Sequence, residues 1–386
     1  MSDRELIYLD HNATTPLEPR VLRAMMPYLT DHYGNASSTS HPFGQVAAGA
    51  VDAAREGVAR LLGARASEII FTSGATESDN AAIKGVAWSS ESRGRHIITT
   101  SIEHRAVLEA CRFLEGRGFR VTYLPVDGHA MVDPDEVKRA LSDDTILISV
   151  MHANSEVGTI QPVEAIGTLA RERGIPFHVD ATQTVGKIPV GVDDLRADLV
   201  AFSGHKIYGP KGVGGLYLRR RQRLAPLLSG GGQEKGRRSG TYNTPGIVGL
   251  GAACALASEE MEAEDRRLRD LSKRFLDSVR SRIDGVTLNG HPSMRLSNNI
   301  NLSFEHVEAE GLIAELKGVA VSSGSACSSE TREPSHVMKA IGASDERAHA
   351  AVRFGFGRSN TPAQIDEVVE RLSTAVAKQR KMSHVA

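Results

Sequence analysis

The chain has few cysteines, few aromatic residues, no surplus of either charge and no long apolar run. Three cysteines among 386 residues, with no C-x-x-C pair and no metal-ligand spacing, argue against a disulfide framework and against a cysteine-based zinc site. Forty-six Lys and Arg against 47 Asp and Glu leave a formal net charge of −1, so no overall field draws the chain to nucleic acid or to an anionic membrane. No apolar stretch is long enough for a bilayer span. The opening MSDRELIYLDHNATTP also lacks the apolar segment of a secretory leader, so a cytoplasmic protein is expected. The absence of a G-x-G-x-x-G turn and of a Walker lysine argues against a nucleotide ligand.

What remains is ordinary for a large globular protein: 40% hydrophobic and 24% charged residues, with room for about two domains. Strand and helix signals alternate. EIIFT precedes SGATESDNAAIKGVA, HIITT precedes EHRAVLEACRFLEG, VTYLPV precedes PDEVKRAL, and TILISVMHAN precedes PVEAIGTLARERG. This reads as an α/β fold, a mostly parallel sheet with helices on both faces. GVGGLYLRR, after a short Gly-containing connection, reads as an antiparallel strand. An earlier helix carries Val51, Ala54, Val58 and Leu61 on one face and ends at Gly63. Past the Gly-rich segment 229–246, a helix from about Pro245 to Ile283 shows no strand signal and leads into a mixed segment ending in a helix to about Ala377. The expected division is a large α/β domain over residues 16–258 and a smaller α+β domain formed by 1–15 and 259–386. The long helix would be the hinge between them.

The chemistry gathers around FHVDATQ and LVAFSGHKIYG. Two apolar strands end in Asp180 with Gln183, and in Ser203, His205 and Lys206, at the carboxyl edge where open α/β sheets bind ligands. A lysine and a carboxylate beside a Ser/His pair able to hold phosphate suit pyridoxal 5′-phosphate, which needs a lysine on its aldehyde and an acid at its ring nitrogen. Thr72-Ser-Gly-Ala-Thr-Glu-Ser opens a helix after a strand. It reads either as an anion site built from free N–H groups and the Thr76 hydroxyl, or as an ordinary N-cap by Ser73. His104 follows HIITT and can lie flat on an aromatic ring; Asn154 ends TILISVMHAN and, with Gln183, can reach a ring oxygen. Arg353 on a predicted strand offers a fork to a substrate carboxylate. Cys111 and Cys254 sit among apolar neighbours and read as core residues. Cys327, in VSSGSACSSETREPSH, has only small polar neighbours and reads as an exposed thiol.

Together S-G-A-T-E-S-D-N, the E-H after HIITT, H-V-D-A-T-Q, S-G-H-K-I-Y-G-P-K-G, R-S-G-T and S-S-G-S-A-C…E-P-S-H resemble the cysteine desulfurases, in the NifS/IscS-like group with the long cysteine loop. The resemblance runs from Tyr8 to about Arg358. It implies the aspartate-aminotransferase-like fold (fold type I) with a seven-stranded-type sheet, and a homodimer that transfers sulfur from L-cysteine to an acceptor such as an iron–sulfur scaffold. It places Lys206 on the cofactor aldehyde, Asp180 on the ring nitrogen, Gln183 on the ring hydroxyl and His104 over the ring. Ala75, Thr76, Ser203 and His205 fall at phosphate positions, and Thr241 at the position reaching the partner subunit's phosphate. It makes Asn154 a cofactor and substrate contact, Arg353 the carboxylate anchor, Asn35 a further substrate contact and Cys327 the nucleophile that accepts sulfur. Ser155, where many relatives carry a second Asn, and Arg332, where an apolar residue is usual, depart from the pattern. The rival readings are a selenocysteine lyase or another β-eliminating enzyme, and a sulfur-relay partner with vestigial catalysis.

Overall fold

In the computed structural model, which describes residues 6–323 and 334–383, the alternating apolar runs form a seven-stranded sheet. β1 (Ile7–Tyr8) stands apart from it and is followed by α1 (Pro19–Thr30) and α2 (Pro42–Leu62). The sheet comprises β2 (Ile69–Thr72), β3 (His96–Thr100), β4 (Arg120–Leu124), β5 (Thr145–Met151), β6 (Phe177–Asp180), β7 (Leu199–Ser203) and β8 (Gly214–Leu218). Between them lie α3 (Ala75–Ser90), α4 (Arg105–Glu115), α5 (Pro134–Ala140) and α6 (Val163–Arg173). The strand order is β2-β8-β7-β6-β5-β3-β4, and β8 alone runs against its neighbours, as the short connection before it predicts. The carboxyl ends of β2, β3, β5, β6 and β7 therefore share one edge.

Side chains alternate across a strand, so each buried strand feeds two cores. Ile148, Val150, Phe177, Val179 and Phe202 pack with Val51, Ala54 and Val58 of α2 and Ile166 of α6. On the other face, Ile97, Leu147, Leu199 and Leu216 pack with Ile83 and Val86 of α3 and with Val107 and Cys111 of α4. Cys111 and Cys254 are fully buried, and burial pushes both thiols up to about 12, so both are core residues. α2 ends at Gly63 in the left-handed conformation (φ 64°), as expected; Leu62 rather than Leu61 is its last buried residue.

α7 (Thr244–Arg282) is capped by Asn243, whose side chain accepts from Gly246 N–H. Its first turns place Ile247, Leu250 and Cys254 in the first core; its last turns place Leu268, Leu271, Phe275 and Val279 in a separate one. That second core lies against an antiparallel sheet built from β9 (Val286–Asn289), β10 (Asn299–Phe304), and, after α8 (Ala309–Glu315) and β11 (Val319–Ala320), from β12 (Ser322–Ser323) and β13 (Ala351–Gly355). α9 (His336–Ala340) and α10 (Asp345–His349) precede β13, and α11 (Pro362–Ser383) follows it, running past the expected end near Ala377. β1 pairs in parallel with β11, and Ile7 and Leu9 are buried in the second core. β9 has no signal in the sequence. Three of the four residues of VTLN are only half-buried, so no apolar run marks it. No helix among the described residues is long and apolar enough to cross a membrane.

Candidate active site

The shared sheet edge opens into a cavity of about 1120 Å³ lined by Ala75, Thr76, His104, Asn154, Asp180, Gln183, Ser203, His205, Lys206 and Arg353. Ten positions scattered over the sequence thus converge on one space. Lys206 follows β7 in a short helical turn, and its Nζ donates to the carbonyls of Asn12 and Ala13, both at 2.6 Å. Asp180 ends β6; its Oδ1 accepts from Thr182 N–H at 2.9 Å. Gln183 is tied to the N-terminal segment, its Nε2 donating to Asn12 O at 3.0 Å.

One end of the cavity is an anion cradle. α3 begins at Ala75 with Gly74 as N-cap and no side-chain cap, so its first N–H groups are open to a ligand. The N-cap reading of Ser73 is therefore corrected: its backbone N–H donates to Glu77 Oε2 at 2.8 Å, and Gly74 takes the cap at φ 150°. A Cβ at Gly74 would lie 3.6 Å from Ser203 Oγ, directly in the space between the helix start and β7. His205 Nδ1 lies 3.1 Å from Thr14 Oγ1, and burial first, then Lys206 and Lys211, pull its imidazole down to about 4. It is a neutral donor there.

His104 is both helix cap and cavity wall: its Nδ1 accepts from Ala106 N–H at 3.1 Å. Burial holds its pKa below the ordinary value, although Asp180 pulls the other way. With Nδ1 accepting, the neutral ring carries its proton on Nε2. Asn154 lines the wall with its amide already committed. Nδ2 donates to Ile102 O, and Oδ1 accepts from Glu156 and Val157 N–H, so it braces the turn after β5. Arg353 donates from Nη2 to Asp10 Oδ1 at 2.8 Å and from Nη1 to Ser155 O at 3.0 Å, while its buried Nε–H has no partner. An unmatched guanidinium donor at a cavity wall fits a carboxylate ligand.

Two expected positions are not brought into this cavity, and a third falls outside the described residues. Asn35 is exposed, with its Oδ1 accepting from Ser37 N–H, and does not line this cavity. Thr241 lines a separate pocket of about 100 Å³ with Ser73, Arg238 and Tyr242. Cys327 lies outside the described residues. Conversely, the sequence reading assigned no role to Asn12 or Ala13, because nothing in an H-N-A-T-T-P turn says that its carbonyls meet a lysine almost two hundred residues on. It also passed over Glu103, whose buried carboxyl accepts from Thr100 Oγ1 and Met151 N–H and is pushed up to about 8, chiefly by burial. Glu156, likewise raised to about 7 by burial, accepts from Ser335 Oγ at 2.5 Å.

A lysine, a carboxylate, an imidazole and an uncapped helix start around one space fit the donor set that pyridoxal 5′-phosphate requires. The comparisons with known proteins agree. The aminotransferase class-V family matches residues 7–368. The chain is 51% identical to the human cysteine desulfurase over 379 residues, covering 98% of this chain and 83% of the relative. Cysteine desulfurase IscS of Anaeromyxobacter dehalogenans (strain 2CP-C) is also 51% identical, over 98% of this chain and 94% of its own. Among solved structures, a NifS-like protein superposes with a TM-score of 0.91 at 38% identity, covering 97% of this chain and all of the other. SspA in complex with cysteine gives 0.82 at 39%, over 91% of this chain and 98% of its own. The chain belongs to the aminotransferase class-V family, in its NifS/IscS-like group of pyridoxal 5′-phosphate-dependent cysteine desulfurases.

Proposed function

We propose that this chain's desulfurase chemistry is divided between a cofactor wall from the first core and a substrate wall from the second. The observation that carries it is that Lys206, Asp180, His104 and Arg353 all line one cavity. When bound, the cofactor's pyridine ring takes up the electron pair left as the substrate loses its Cα proton. Lys206 would hold the cofactor and then move that proton, Asp180 would keep its ring nitrogen protonated, and His104 would supply a neutral imidazole beside it. Gln183 donates to the ring oxygen, while Ala75, Thr76, Ser203 and His205 hold the phosphate. Arg353 binds the substrate carboxylate and so fixes which bond faces the reaction.

Cys327 takes the sulfur as its thiolate. The substrate C–S bond breaks as an S–S bond forms, the substrate carbon is reprotonated, and L-alanine leaves behind an enzyme persulfide. Atoms and electrons balance without an added oxidant. The persulfide then passes to an acceptor protein, such as a scaffold for iron–sulfur cluster assembly, nitrogenase's included, or to another thio-cofactor pathway. A cytoplasmic homodimer suits this reading. Leu22, Met26 and Leu29 on α1, with Tyr33, Phe43 and Val46, are exposed apolar side chains that a second copy can cover. Thr241, outside its own chain's cavity, is then free to serve the partner's. The domain division at about residue 258 falls within α7, where its contacts pass from the first core to the second.

Purified protein should be yellow, and borohydride should fix the cofactor to the peptide containing Lys206. Cys327→Ser should keep the visible band and bind cysteine, yet release no sulfide under reductant. Normal turnover by that variant would remove the thiol from the mechanism.

A further inference from the structure

One cation beside the cavity has no part in the reaction as read above. Lys187 lies four residues beyond Gln183, on a turn in which Thr184 and Val185 N–H donate to Ala181 O and Lys187 N–H donates to Thr184 O at 2.9 Å. Gly186 closes the turn at φ 72°, and a Cβ there would lie 2.7 Å from Ile207 Cγ2. The turn therefore packs directly against the residue following Lys206, at a backbone conformation and a separation that favour glycine. It carries the part-buried Lys187 side chain back to Gln183, where Nζ donates to Oε1 at 3.1 Å.

The contacts of the Gln183 amide settle its orientation. Because Nε2 already donates to Asn12 O, the end that Lys187 meets is the oxygen, whether its amine is charged or neutral. Asn12 Nδ2 approaches the same Oε1 at 3.4 Å, and Nε2 at the other end donates to Asn12 O at 3.0 Å. Nε2 is left as the donor that Gln183 can present to the cavity it lines. A ring hydroxyl that ionises needs a donor at that point; the reversed amide would offer it an oxygen.

The charges around Lys187 are of its own sign. Lys206 and Arg353 both act on it, His11 and His205 feel it, and both imidazoles are held neutral, at about 4. The carboxylates of the same wall are engaged elsewhere, Asp10 with Arg353 and Asp180 with Thr182 N–H. Burial first, then Lys206 and Arg353, pull the Lys187 ammonium down to about 7.

We propose that Lys187 is a positioning residue that aims the donor end of Gln183 at the cofactor's ring oxygen and, through its charge, opposes protonation of the Lys206 nitrogen. This rests on the roles given above to Lys206 and Gln183. A cation behind the ring oxygen favours the ionised oxygen and disfavours a second positive charge at position 206; both effects have the same sign for the acidity of the cofactor-bearing nitrogen.

The test uses the holoenzyme and the variants Lys187→Met and Lys187→Arg. The readouts are the pH midpoint of the cofactor's visible band and the affinity of cofactor-stripped protein for pyridoxal 5′-phosphate. Lys187→Met should raise the midpoint by about one pH unit and weaken cofactor binding about tenfold. Lys187→Arg, which keeps the charge, should restore the midpoint. A midpoint unmoved in Lys187→Met overturns the proposal, even if that variant melts earlier, because a merely structural role lowers stability without moving the band. Should Lys187→Met not fold, Lys187→Gln supplies a donor without the charge and is read in the same way. Borohydride mapping of the wild type separates the two levels. Fixation away from Lys206 sinks the functional reading itself, whereas fixation at Lys206 with an unmoved midpoint sinks only the role of Lys187.

Discussion

Replacing Arg353 by Lys tests how the substrate is held. The guanidinium spends one Nη on Ser155 O at 3.0 Å and one Nη2 proton on Asp10 at 2.8 Å. Its buried Nε–H has no partner, so on the proposed role a substrate carboxylate would take that donor and a neighbouring Nη proton while Asp10 and Ser155 keep theirs. A lysine retains the charge but offers one point of contact. Loss of one charge-assisted bond from a largely buried fork is worth about 2 kcal/mol, which corresponds to about 30-fold in affinity. The assay is titration of holoenzyme with L-cysteine and, separately, with cysteamine, which keeps the amine and thiol but lacks the carboxylate. Following the cofactor's visible spectrum, Arg353→Lys should weaken cysteine about 30-fold and leave cysteamine nearly unchanged. Equal weakening of both ligands would refute the carboxylate assignment. It would show instead that Arg353 acts through the Asp10 and Ser155 contacts, on the shape of the wall.

Two further outcomes follow from the same site. Gly186→Ala places a methyl group 2.7 Å from Ile207 at φ 72°; it should cost about 1–3 kcal/mol in unfolding free energy by urea titration, and a neutral result would mean that the turn yields freely. Glu103 supplies a pH dependence, since its folded pKa of about 8 stands above the ordinary 4.5. The stability it lends is full below about 4.5 and is lost as the pH rises through about 8. The histidines drawn down to about 4, such as His152 and His178, act in the opposite sense, but their contribution is complete above 6.5. From pH 6.5 upward, cofactor-stripped wild type should therefore lose melting temperature more steeply than Glu103→Gln, and parallel curves would contradict the buried, protonated carboxyl.

The parts of this molecule that the sequence reveals are those written in local order. Runs such as TILISVM and FHVD are apolar on both faces because both faces are covered, and the polar residues after them fall at one edge because parallel strands end together. Asp180, Ser203, His205 and Lys206 could be placed for that reason. Asn12 and Lys187 could not: Asn12 matters through a contact made across the chain with Lys206, and Lys187 through the fold of a turn that returns its side chain to Gln183, and both sit in segments that look like ordinary turns. Ser73 and Gly74 show the limit in miniature. Composition favours a serine cap, but the close approach of β8 decides otherwise, since a Cβ at Gly214 would sit 2.7 Å from Gly74 Cα. Asn35 and Thr241 match a family pattern by position alone, and a single chain does not fold them into its own cavity.

The pairing of β1 with β11 joins Ile7 to Val319 and Tyr8 to Ala320. On a ribosome, β1 must therefore wait, unmatched, until β11 has been made. The carbonyls of Asn12 and Ala13 that grip Lys206 hang from that same waiting strand. A nascent chain made only as far as β8 can wind its large sheet yet lacks the strand partner that anchors this clasp, so β11, made about three hundred residues after β1, governs when the N-terminal segment can settle over the site.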